Sequence, residues 1–174
     1  MKSRNIDIFI SGAGPAGLLA SISFASLGYS VICVDPHKPV TDASDGGADF
    51  RTTAFLQPAK NFMQSLDLWE ELKSYAVPME IMRIIDAAGE NWPPKEKTTK
   101  DFLSSDISDL PFGWNIPNWL LRRAFTEKAN KYSNLELKFG LTTSSFIRRD
   151  DAAFVYLDDG SQIKAKLVIG ADGR

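Results

Sequence analysis

Three glycines near the amino terminus constrain the fold more than any other feature of this sequence. Gly12, Gly14 and Gly17 follow the run Ile6–Ile10, whose apolar and β-branched residues predict a buried strand. The first glycine suits a tight turn, the second lets another group approach the backbone, and the third lets a following helix pack closely. The spacing therefore predicts a strand, a tight turn and a helix in that order.

The residues after the turn extend this prediction to a βαβ unit. Pro15 suits the first turn of a helix, Gly28 suits its end, and Val31–Val34 predicts a second strand. Asp35 follows that strand, eighteen residues after Gly17. In this order the helix amino end can bind a pyrophosphate and the carboxylate a ribose diol, which indicates a dinucleotide rather than a nucleotide-free βαβ unit. Since a carboxylate repels a 2′-phosphate, we expect FAD or NAD rather than NADP.

Composition limits the class of protein. The 174 residues suffice for one compact domain, and a net charge of −2 argues against nucleic-acid binding through bulk charge. Cys33 is the single cysteine and lies in the second strand, so we expect a buried core residue, no internal disulfide and no cysteine metal cluster. No apolar run is long enough for a signal peptide or a membrane span, which favours a cytoplasmic protein.

A polar loop and a predicted helix follow Asp35. The loop contains His37, the single histidine, which we expect to be solvated. Asp49 is predicted to cap a helix that Pro58 kinks. Arg51 lies near the start of that predicted helix, where it either forms a surface salt bridge or reaches a pyrophosphate.

The middle of the chain predicts two strands, a loop and a helix. Met79–Ala88 and Phe112–Ile116 predict strands, and residues 93–101, which begin with two prolines, predict an exposed loop. Asn118 leads into a helix whose apolar stripe predicts core packing. Its basic residues predict a solvated face, with contact to anionic lipid as the alternative. The stripe comprises Leu120, Leu121, Ala124, Phe125 and Ala129, and the basic residues are Arg122, Arg123, Lys128 and Lys131.

The last section predicts four strands. Leu135–Phe139 is the first, and three more, joined by acidic turns at Asp150-Asp151 and Asp158–Gly160, predict an antiparallel meander. The final strand ends in the apolar run Leu167–Ile169, before Gly170–Gly173. The expected fold class is α/β: a Rossmann-like, three-layer fold with a parallel sheet and an antiparallel β-meander.

Four motifs together resemble one family. They are GAGPAG at Gly12–Gly17, DFRTTAF at Asp49–Phe55, IPNWLLRRAF at Ile116–Phe125 and GADG at Gly170–Gly173. In this order they resemble the class A FAD-dependent aromatic hydroxylases related to p-hydroxybenzoate hydroxylase, in particular the branch of ubiquinone-biosynthesis (2-polyprenylphenol) hydroxylases. The resemblance implies tightly bound FAD and NAD(P)H as a transient reductant. It implies O2 and a phenolic ring, such as a polyprenylated ubiquinone precursor, as substrates.

The resemblance also implies which residues bind the cofactor. The glycine turn takes the FAD pyrophosphate, Asp35 at the end of the second strand takes the adenosine ribose, and Arg51 lies along the pyrophosphate and ribityl region. Asn118 stands where relatives have an arginine or a glutamine, and GADG serves FAD and NAD(P)H together. No catalytic side chain and no metal ligand is expected, because the flavin carries the chemistry. The implied cofactor-binding residues are Gly12, Gly14, Pro15, Ala16, Gly17, Asp35, Pro36, Arg51, Thr52, Asn118, Asp172 and Gly173.

The resemblance covers the whole chain but only about the first half of such an enzyme. Residues 1–174 are accordingly expected to form a partial FAD/NAD(P)-binding domain, with residues 79–116 beginning the side of the substrate domain. We expect the substrate domain to be largely absent, which would make the chain a truncated form that is inactive alone. Its expected location is the cytoplasm, with peripheral contact to the inner membrane as an extension.

Two other kinds of function stay open. One is a different FAD oxidoreductase, such as a salicylate-type hydroxylase, a halogenase or a prenyl reductase. The other is a dinucleotide-binding module without chemistry. An NAD-dependent dehydrogenase is disfavoured, because the loop after Asp35 leads into DFRTTAF and not directly into another βαβ unit.

Overall fold

The computed structural model describes residues 4–89 and 92–173. The strands are β1 (Arg4–Ser11), β2 (Val31–Asp35), β3 (Thr52–Leu56), β4 (Val77–Met79), β5 (Ile81–Ala88), β6 (Lys95–Leu103), β7 (Gly113–Pro117), β8 (Leu135–Phe139), β9 (Thr143–Arg148), β10 (Ala153–Leu157) and β11 (Gln162–Gly170). The helices are α1 (Pro15–Ser26), α2 (Gln57–Ser65), α3 (Trp69–Leu72) and α4 (Asn118–Ala129), with a 3-10 turn at Ser104–Asp106. None of the helices in the described part of the chain is long and apolar enough to cross a membrane.

The central sheet has six strands in the order β8-β2-β1-β11-β10-β9. Strands β8, β2, β1 and β11 run parallel, while β9, β10 and β11 form an antiparallel meander. In the middle of the parallel part, Ile10 of β1 lies opposite Cys33 of β2 on one side and Ile169 of β11 on the other. The predicted parallel sheet and the predicted meander are both confirmed.

Two hydrophobic cores cover the two faces of this sheet, because alternate residues of a strand point to opposite sides. On one face Ile10 and Cys33 pack with the apolar stripes of α1 and α4. On the other face Phe9 and Ile32 pack with residues of the meander such as Val155. The meander continues the central sheet through β11, and its residues share a core with the face of the parallel strands that the helices leave free. The predicted layers of helices, parallel sheet and meander are therefore present.

Helices α1 and α4 pack against each other, and because each leads into one of two parallel neighbouring strands, we infer that they run in the same direction. Each is followed by a short turn into a strand, β2 or β8, and these strands are parallel neighbours. Asn134, in the turn after α4, donates from Nδ2 to the carbonyl oxygens of Ala25 at 2.9 Å and Tyr29 at 2.7 Å, at the end of α1. The carboxyl ends of the helices are thus joined. Since each helix has 12 residues, their amino ends lie together at the carboxyl edge of the parallel strands.

Helix α4 and the strand before it agree with the sequence prediction. The strand predicted over Phe112–Ile116 is β7, and α4 begins at Asn118. Every residue of the predicted apolar stripe of α4 is buried, which confirms its role in core packing.

The segment after Asp49 differs from its prediction. Residues 52–56 form β3, which pairs antiparallel with β7, and α2 begins only at Gln57. Pro58 lies in the first turn of α2, where its missing N–H has no helical partner, so it does not kink the helix. The predicted helix capped by Asp49 is therefore wrong. The two β-branched threonines that open the segment have a partner strand about sixty residues away, which the local pattern could not reveal.

A two-stranded hairpin, β5 and β6, forms a sheet of its own. The strand predicted over Met79–Ala88 is confirmed as β5, preceded by β4. For residues 93–101 the predicted exposure is largely confirmed, but the predicted loop conformation is wrong. From Lys95 onward this stretch forms β6, antiparallel to β5. Its lysines and threonines suit a strand that is exposed on both faces, and Arg83 of β5 forms a bidentate ion pair with Asp101 of β6.

Candidate dinucleotide site

Two of the three glycines in the turn are required by the packing of the chain itself. Gly12 has a φ of +104°, and a Cβ on it would lie 2.5 Å from the carbonyl oxygen of Ala171. A Cβ on Gly17 would lie 1.9 Å from the carbonyl oxygen of Gly12. Contacts this short cannot form, so these glycines allow β1, α1 and the end of β11 to meet at one point. The tight turn and the close helix packing agree with the sequence prediction.

Gly14 differs from the other two, because no atom of the chain would lie within 4 Å of a Cβ there. Gly14 is the N-cap of α1 and is followed by Pro15; no side chain caps this end, and its first turn holds no acidic residue. The first N–H groups of a helix have no intrahelical partner and carry partial positive charge. The space in front of Gly14 and the exposed Ala16 therefore faces an anion-binding helix end.

Asp35 ends β2, and its carboxylate is held against the glycine turn. Oδ2 accepts a hydrogen bond from the backbone N–H of Ala13 at 2.7 Å, and Oδ1 accepts one from the N–H of His37 at 2.8 Å. An ionised carboxylate offers about four acceptor sites, so these two contacts leave capacity for the hydroxyls of a ribose. The position of Asp35 is therefore compatible with its predicted role.

A cleft of about 480 Å³ opens at the carboxyl edge of β1 and β2. It brings together four predicted site residues, Gly12, Asp35, Pro36 and Asp172. The sequence did not predict the rest of its lining, although ligands of parallel α/β sheets bind beyond the carboxyl ends of the strands, and the residues after β8 satisfy that rule. These further lining residues are Ser11, Val34, His37, Leu141, Thr142 and Thr143.

Strands β1 and β9, which both contribute to the cleft, are linked by a hydrogen bond between two hydroxyl groups. The cleft is also lined by two acidic side chains. Ser11 Oγ and Thr143 Oγ1 form a hydrogen bond at 2.9 Å between β1 and β9. The ionisable side chains of the described lining are those of Asp35, Asp172 and His37, and His37 is exposed, as expected. An anionic ligand in this cleft therefore depends on backbone N–H groups, or on cations that reach it from outside the lining.

Three other predicted site residues gather at the amino end of α4. Arg51 precedes β3 and does not open a helix, and its side chain is 83% exposed. Its Nε and Nη2 donate to the two carboxylate oxygens of Asp49 at 2.9 and 2.8 Å. Asn118 donates from Nδ2 to Asp49 at 3.1 Å and accepts from the hydroxyl of Thr53 at 2.6 Å. Thr52 is exposed at the start of β3, next to Arg51.

These contacts settle one of the two predictions made for Arg51. It forms the surface salt bridge, with Asp49, and the reach to a pyrophosphate stays a prediction. The hydrogen bonds from Arg51, and in second place from Asn118, hold the pKa of the Asp49 carboxyl well below its usual range. Because the amino ends of α1 and α4 lie together, this cluster and the glycine turn share one edge of the central sheet.

Cys33 packs directly beneath the glycine turn. Its Sγ lies 3.5 Å from the carbonyl oxygen of Gly12, and its side chain is fully buried. Burial raises the pKa of the Cys33 thiol to about 11, so the thiol stays protonated and unreactive at neutral pH. The prediction of a buried core cysteine is confirmed.

The fold and the cleft together define a Rossmann-like dinucleotide-binding domain. A family model described as "FAD binding domain" matches residues 5–174, and the chain belongs to this family. FAD, the cofactor expected from the sequence motifs, is thus the cofactor that defines the family.

Two curated relatives are hydroxylases. The chain is 26% identical over 170 residues to ubiquinone hydroxylase UbiL of Rhodospirillum rubrum, with 97% of this chain and 37% of that protein covered. It is 24% identical over 173 residues to 3-demethoxyubiquinol 3-hydroxylase of Escherichia coli, with 99% of this chain and 42% of that protein covered. These relatives confirm the resemblance to FAD-dependent aromatic hydroxylases of the ubiquinone branch. The chain spans about two fifths of their length.

A solved structure confirms the fold. The flavin-dependent monooxygenase PieE, in complex with FAD and substrate, matches with a TM-score of 0.74 at 18% identity. The match covers 99% of this chain and 31% of that one.

Proposed function

We propose that this chain is the FAD-binding part of a monooxygenase that hydroxylates a phenolic ring with NAD(P)H and O2. Membership of the FAD-binding domain family supports the cofactor. Similarity to a ubiquinone hydroxylase and to a demethoxyubiquinol hydroxylase supports the reaction class, and it favours a polyprenylated ubiquinone precursor as substrate.

The observation that carries this proposal is the glycine turn before α1 together with the cleft that Gly12 and Asp35 line. Gly14 leaves open space in front of the helix N–H groups, and the Asp35 carboxylate lies beside the same turn. A pyrophosphate needs the first feature and a ribose diol needs the second, so the residues present fit a dinucleotide. In this proposal Gly12, Gly14, Pro15, Ala16 and Gly17 form the pyrophosphate site, Asp35 and Pro36 the adenosine site, and Asp172 and Gly173 the facing wall.

Bound FAD would supply the redox chemistry, accepting electrons from NAD(P)H and activating O2 for transfer of one oxygen atom to the ring. The residues of this chain bind and orient the cofactor. Arg51, Thr52 and Asn118 form the second half of the proposed site, where a guanidinium and an amide at the amino end of α4 supply donors for the dinucleotide. We assign no proton transfer to any side chain of this chain.

We further propose that residues 1–174 act as one FAD/NAD(P)-binding domain in which residues 79–116 begin the substrate side. An apolar groove of about 860 Å³ in this region supports the assignment. Met79, Met82 and Phe112 lie in its wall, which would suit an aromatic ring with an apolar tail. Since a hydroxylase buries its substrate, we expect this chain alone to bind FAD without turning over a phenol.

The proposed location is the cytoplasm, with membrane contact as a weaker extension. Arg122 forms an ion pair with Asp49 at 3.6 Å, and Lys128 forms one with another aspartate at 3.6 Å. The guanidinium of Arg123 lies 5.2 Å from the centroid of the Trp119 ring. These contacts engage the basic side chains within the chain and leave Arg122 and Lys128 only 26% and 17% exposed, which argues against contact with lipid and also against a fully solvated face. Cosedimentation with anionic vesicles at two salt concentrations would reveal lipid contact, if it exists, as salt-sensitive binding.

FAD titration of the purified chain, followed by flavin fluorescence, tests the proposal. The native chain should bind one FAD. Gly14→Val should weaken binding by about tenfold to a hundredfold, because its side chain would occupy the space in front of the helix end at little cost to folding. Gly46→Val is the matched control, since a Cβ at Gly46 also meets nothing within 4 Å, while Gly46 lies in the loop after β2 and not at the amino end of a helix.

Three results would change the proposal. Absence of FAD binding by the native chain would contradict it. Binding of FAD without reduction by NAD(P)H would favour a dinucleotide-binding module without chemistry. Robust NAD(P)H-dependent O2 uptake with a phenol would contradict inactivity of the chain alone, while supporting the monooxygenase itself.

A further inference from the structure

The carboxylate of Asp49 contacts both Arg51 and Asn118 at the amino end of α4, and Asp49 is not among the residues of the proposed cofactor site. We propose that Asp49 is a positioning residue that holds Arg51 and Asn118 toward the pyrophosphate of the bound dinucleotide. This inference rests on the proposed function, because it assumes that FAD occupies the cleft beside α1. The resemblance assigned cofactor binding to Arg51 and Thr52 of the DFRTTAF motif, and this inference adds a role for Asp49.

The contacts of Asp49 come from two separate parts of the chain. Arg51 contributes three donors: its backbone N–H at 3.1 Å, Nε at 2.9 Å and Nη2 at 2.8 Å. From α4, Asn118 donates through Nδ2 at 3.1 Å and Arg122 approaches to 3.6 Å. The Asp49 side chain is only 11% exposed, although Arg51 is largely in solvent. The carboxylate is thus a largely enclosed hub that joins an exposed partner, Arg51, to a less exposed partner on α4, Arg122.

The backbone around Asp49 anchors this hub to the helix end. The N–H groups of Asn118 and Trp119, the first residues of α4, donate to the carbonyl oxygens of Arg51 at 2.9 Å and Asp49 at 3.1 Å. These bonds occupy two N–H groups that a helix leaves without an intrahelical partner. The position of Asp49 is therefore fixed relative to α4, and the amino end of α4 is fixed relative to that of α1.

A two-point contact with a fixed carboxylate determines the plane of a guanidinium. Arg51 has five N–H donors, and its contact with Asp49 uses Nε and Nη2, so donors on the exposed side of the group can bind a phosphate. Without Asp49 the side chain would sample many rotamers, and ordering them on binding would lower affinity. Asp49 also balances only one of the two arginines it contacts, which leaves net positive charge beside the helix end.

A mutant cycle on FAD affinity tests whether Asp49 acts through Arg51. Arg51→Ala should weaken FAD binding by about tenfold or more, and Asp49→Asn by roughly fivefold. In the Arg51→Ala background, Asp49→Asn should cost less than about twofold, because Asn118 is then the one proposed partner left for Asp49 to position, through a single hydrogen bond. Arg51→Lys gives a second variant: a lysine keeps the charge but cannot form the fork, so it should also be insensitive to Asp49→Asn.

A ligand comparison separates positioning from a merely structural effect. Asp49→Asn should lower the affinity for ADP, which carries the diphosphate group, and should leave the affinity for adenosine unchanged. Ligand-observed NMR measures both affinities. The matched control is Asp101→Asn, which disrupts the same bidentate pair with an arginine on the hairpin and should leave both affinities unchanged.

Other results of these binding experiments would contradict the role of Asp49, the role of Arg51 or the proposed function. Equal losses from Asp49→Asn with and without Arg51, or equal losses for ADP and adenosine, would overturn the positioning role and leave the proposed function intact. Unchanged FAD affinity in Arg51→Ala would overturn the role of Arg51 and this inference with it. Absence of FAD binding by the native chain would overturn the proposed function and therefore also this inference.

Discussion

Strands β2 and β5 have similar apolar sequences and opposite environments. Val31–Val34 of β2 are at most 2% exposed, whereas Ile81, Met82, Ile84 and Ile85 of β5 are 51–59% exposed. Strand β2 has a parallel neighbour on each side, with helices over one face and the meander over the other. Strand β5 pairs only with β6 in the described part of the chain. The two strands differ in burial because other elements pack over β2 and not because their sequences differ in apolar character.

This difference in burial divides the molecule into a well-packed region around the central sheet and an exposed hairpin, β5–β6. The central sheet with α1 and α4, which we call the frame, positions the glycine turn, Asp35 and the cleft. The β5–β6 hairpin is a two-stranded ribbon, and such ribbons have little stability of their own in water. We therefore expect changes in the frame to affect global stability and ligand binding, and changes in the hairpin to act locally.

The largest effect is expected from a buried aromatic residue of the frame. Phe125 of α4 is fully buried, so Phe125→Ala should lower the free energy of unfolding by about 3–5 kcal/mol. Phe102→Ala in the hairpin is the control, since Phe102 is 40% exposed and should cost less than about 1.5 kcal/mol. Urea denaturation followed by circular dichroism measures both, and equal losses would remove the distinction between the frame and the hairpin.

The next effect concerns the glycine turn. Gly17→Ala would force a Cβ against the carbonyl oxygen of Gly12 and should lower stability by about 3 kcal/mol. Gly14→Ala should change stability by less than about 1 kcal/mol, because the chain offers its Cβ open space. If thermal denaturation gave the same Tm for both variants, the close approach between the turn and α1 would be doubtful.

Acid should weaken the frame through Asp7 of β1. Hydrogen bonds from Lys166, and in second place from Ser30, hold the pKa of the Asp7 carboxyl well below its usual range. A lowered pKa in the folded state stabilises the fold above the unfolded value near 3.9, and this stabilisation is lost as pH falls below it. The Tm of Asp7→Asn should therefore depend less on pH than the native Tm between about pH 5 and 2.5.

The hairpin offers the contrasting case for the same titration. Asp101 also has a lowered pKa, because Arg83 donates to it. If the hairpin opens without unfolding the frame, Asp101→Asn should leave the acid dependence of the global Tm unchanged. A loss of acid dependence equal to that of Asp7→Asn would show that the two regions unfold together.

The smallest effect is expected on the exposed face of β5. Ile84→Thr should change the global free energy of unfolding by less than about 0.5 kcal/mol, because Ile84 is already half exposed and threonine suits a strand. Hydrogen exchange provides the sharper measurement: amides of β5 and β6 should exchange faster than those of β1 and β2. Slow exchange in the hairpin would indicate cover that its exposed side chains do not suggest.

Local patterns predicted the elements that have strong periodicity or special turn residues. The glycine turn, α1, β2, the α4 stripe and the meander all follow from residues adjacent in the chain. The two errors, a helix predicted over the residues of β3 and a loop predicted over most residues of β6, both concern strands whose partners decide their structure. Strand β3 needs β7 to be a strand, and the polar β6 needs β5, so neither could be inferred from its own residues.

For the candidate site, the sequence by itself determined the βαβ unit, because Gly12, Gly17 and Asp35 each satisfy a local backbone or chemical requirement. Only the tertiary structure brought Thr142 and Thr143 to the cleft, since they arrive after β8 joins the parallel sheet. Tertiary structure likewise made Asp49 the hub at the amino end of α4, in place of a helix cap. The physical reason is the range of the interactions: conformational preferences act within a few residues, whereas strand pairing and helix packing act across the whole chain.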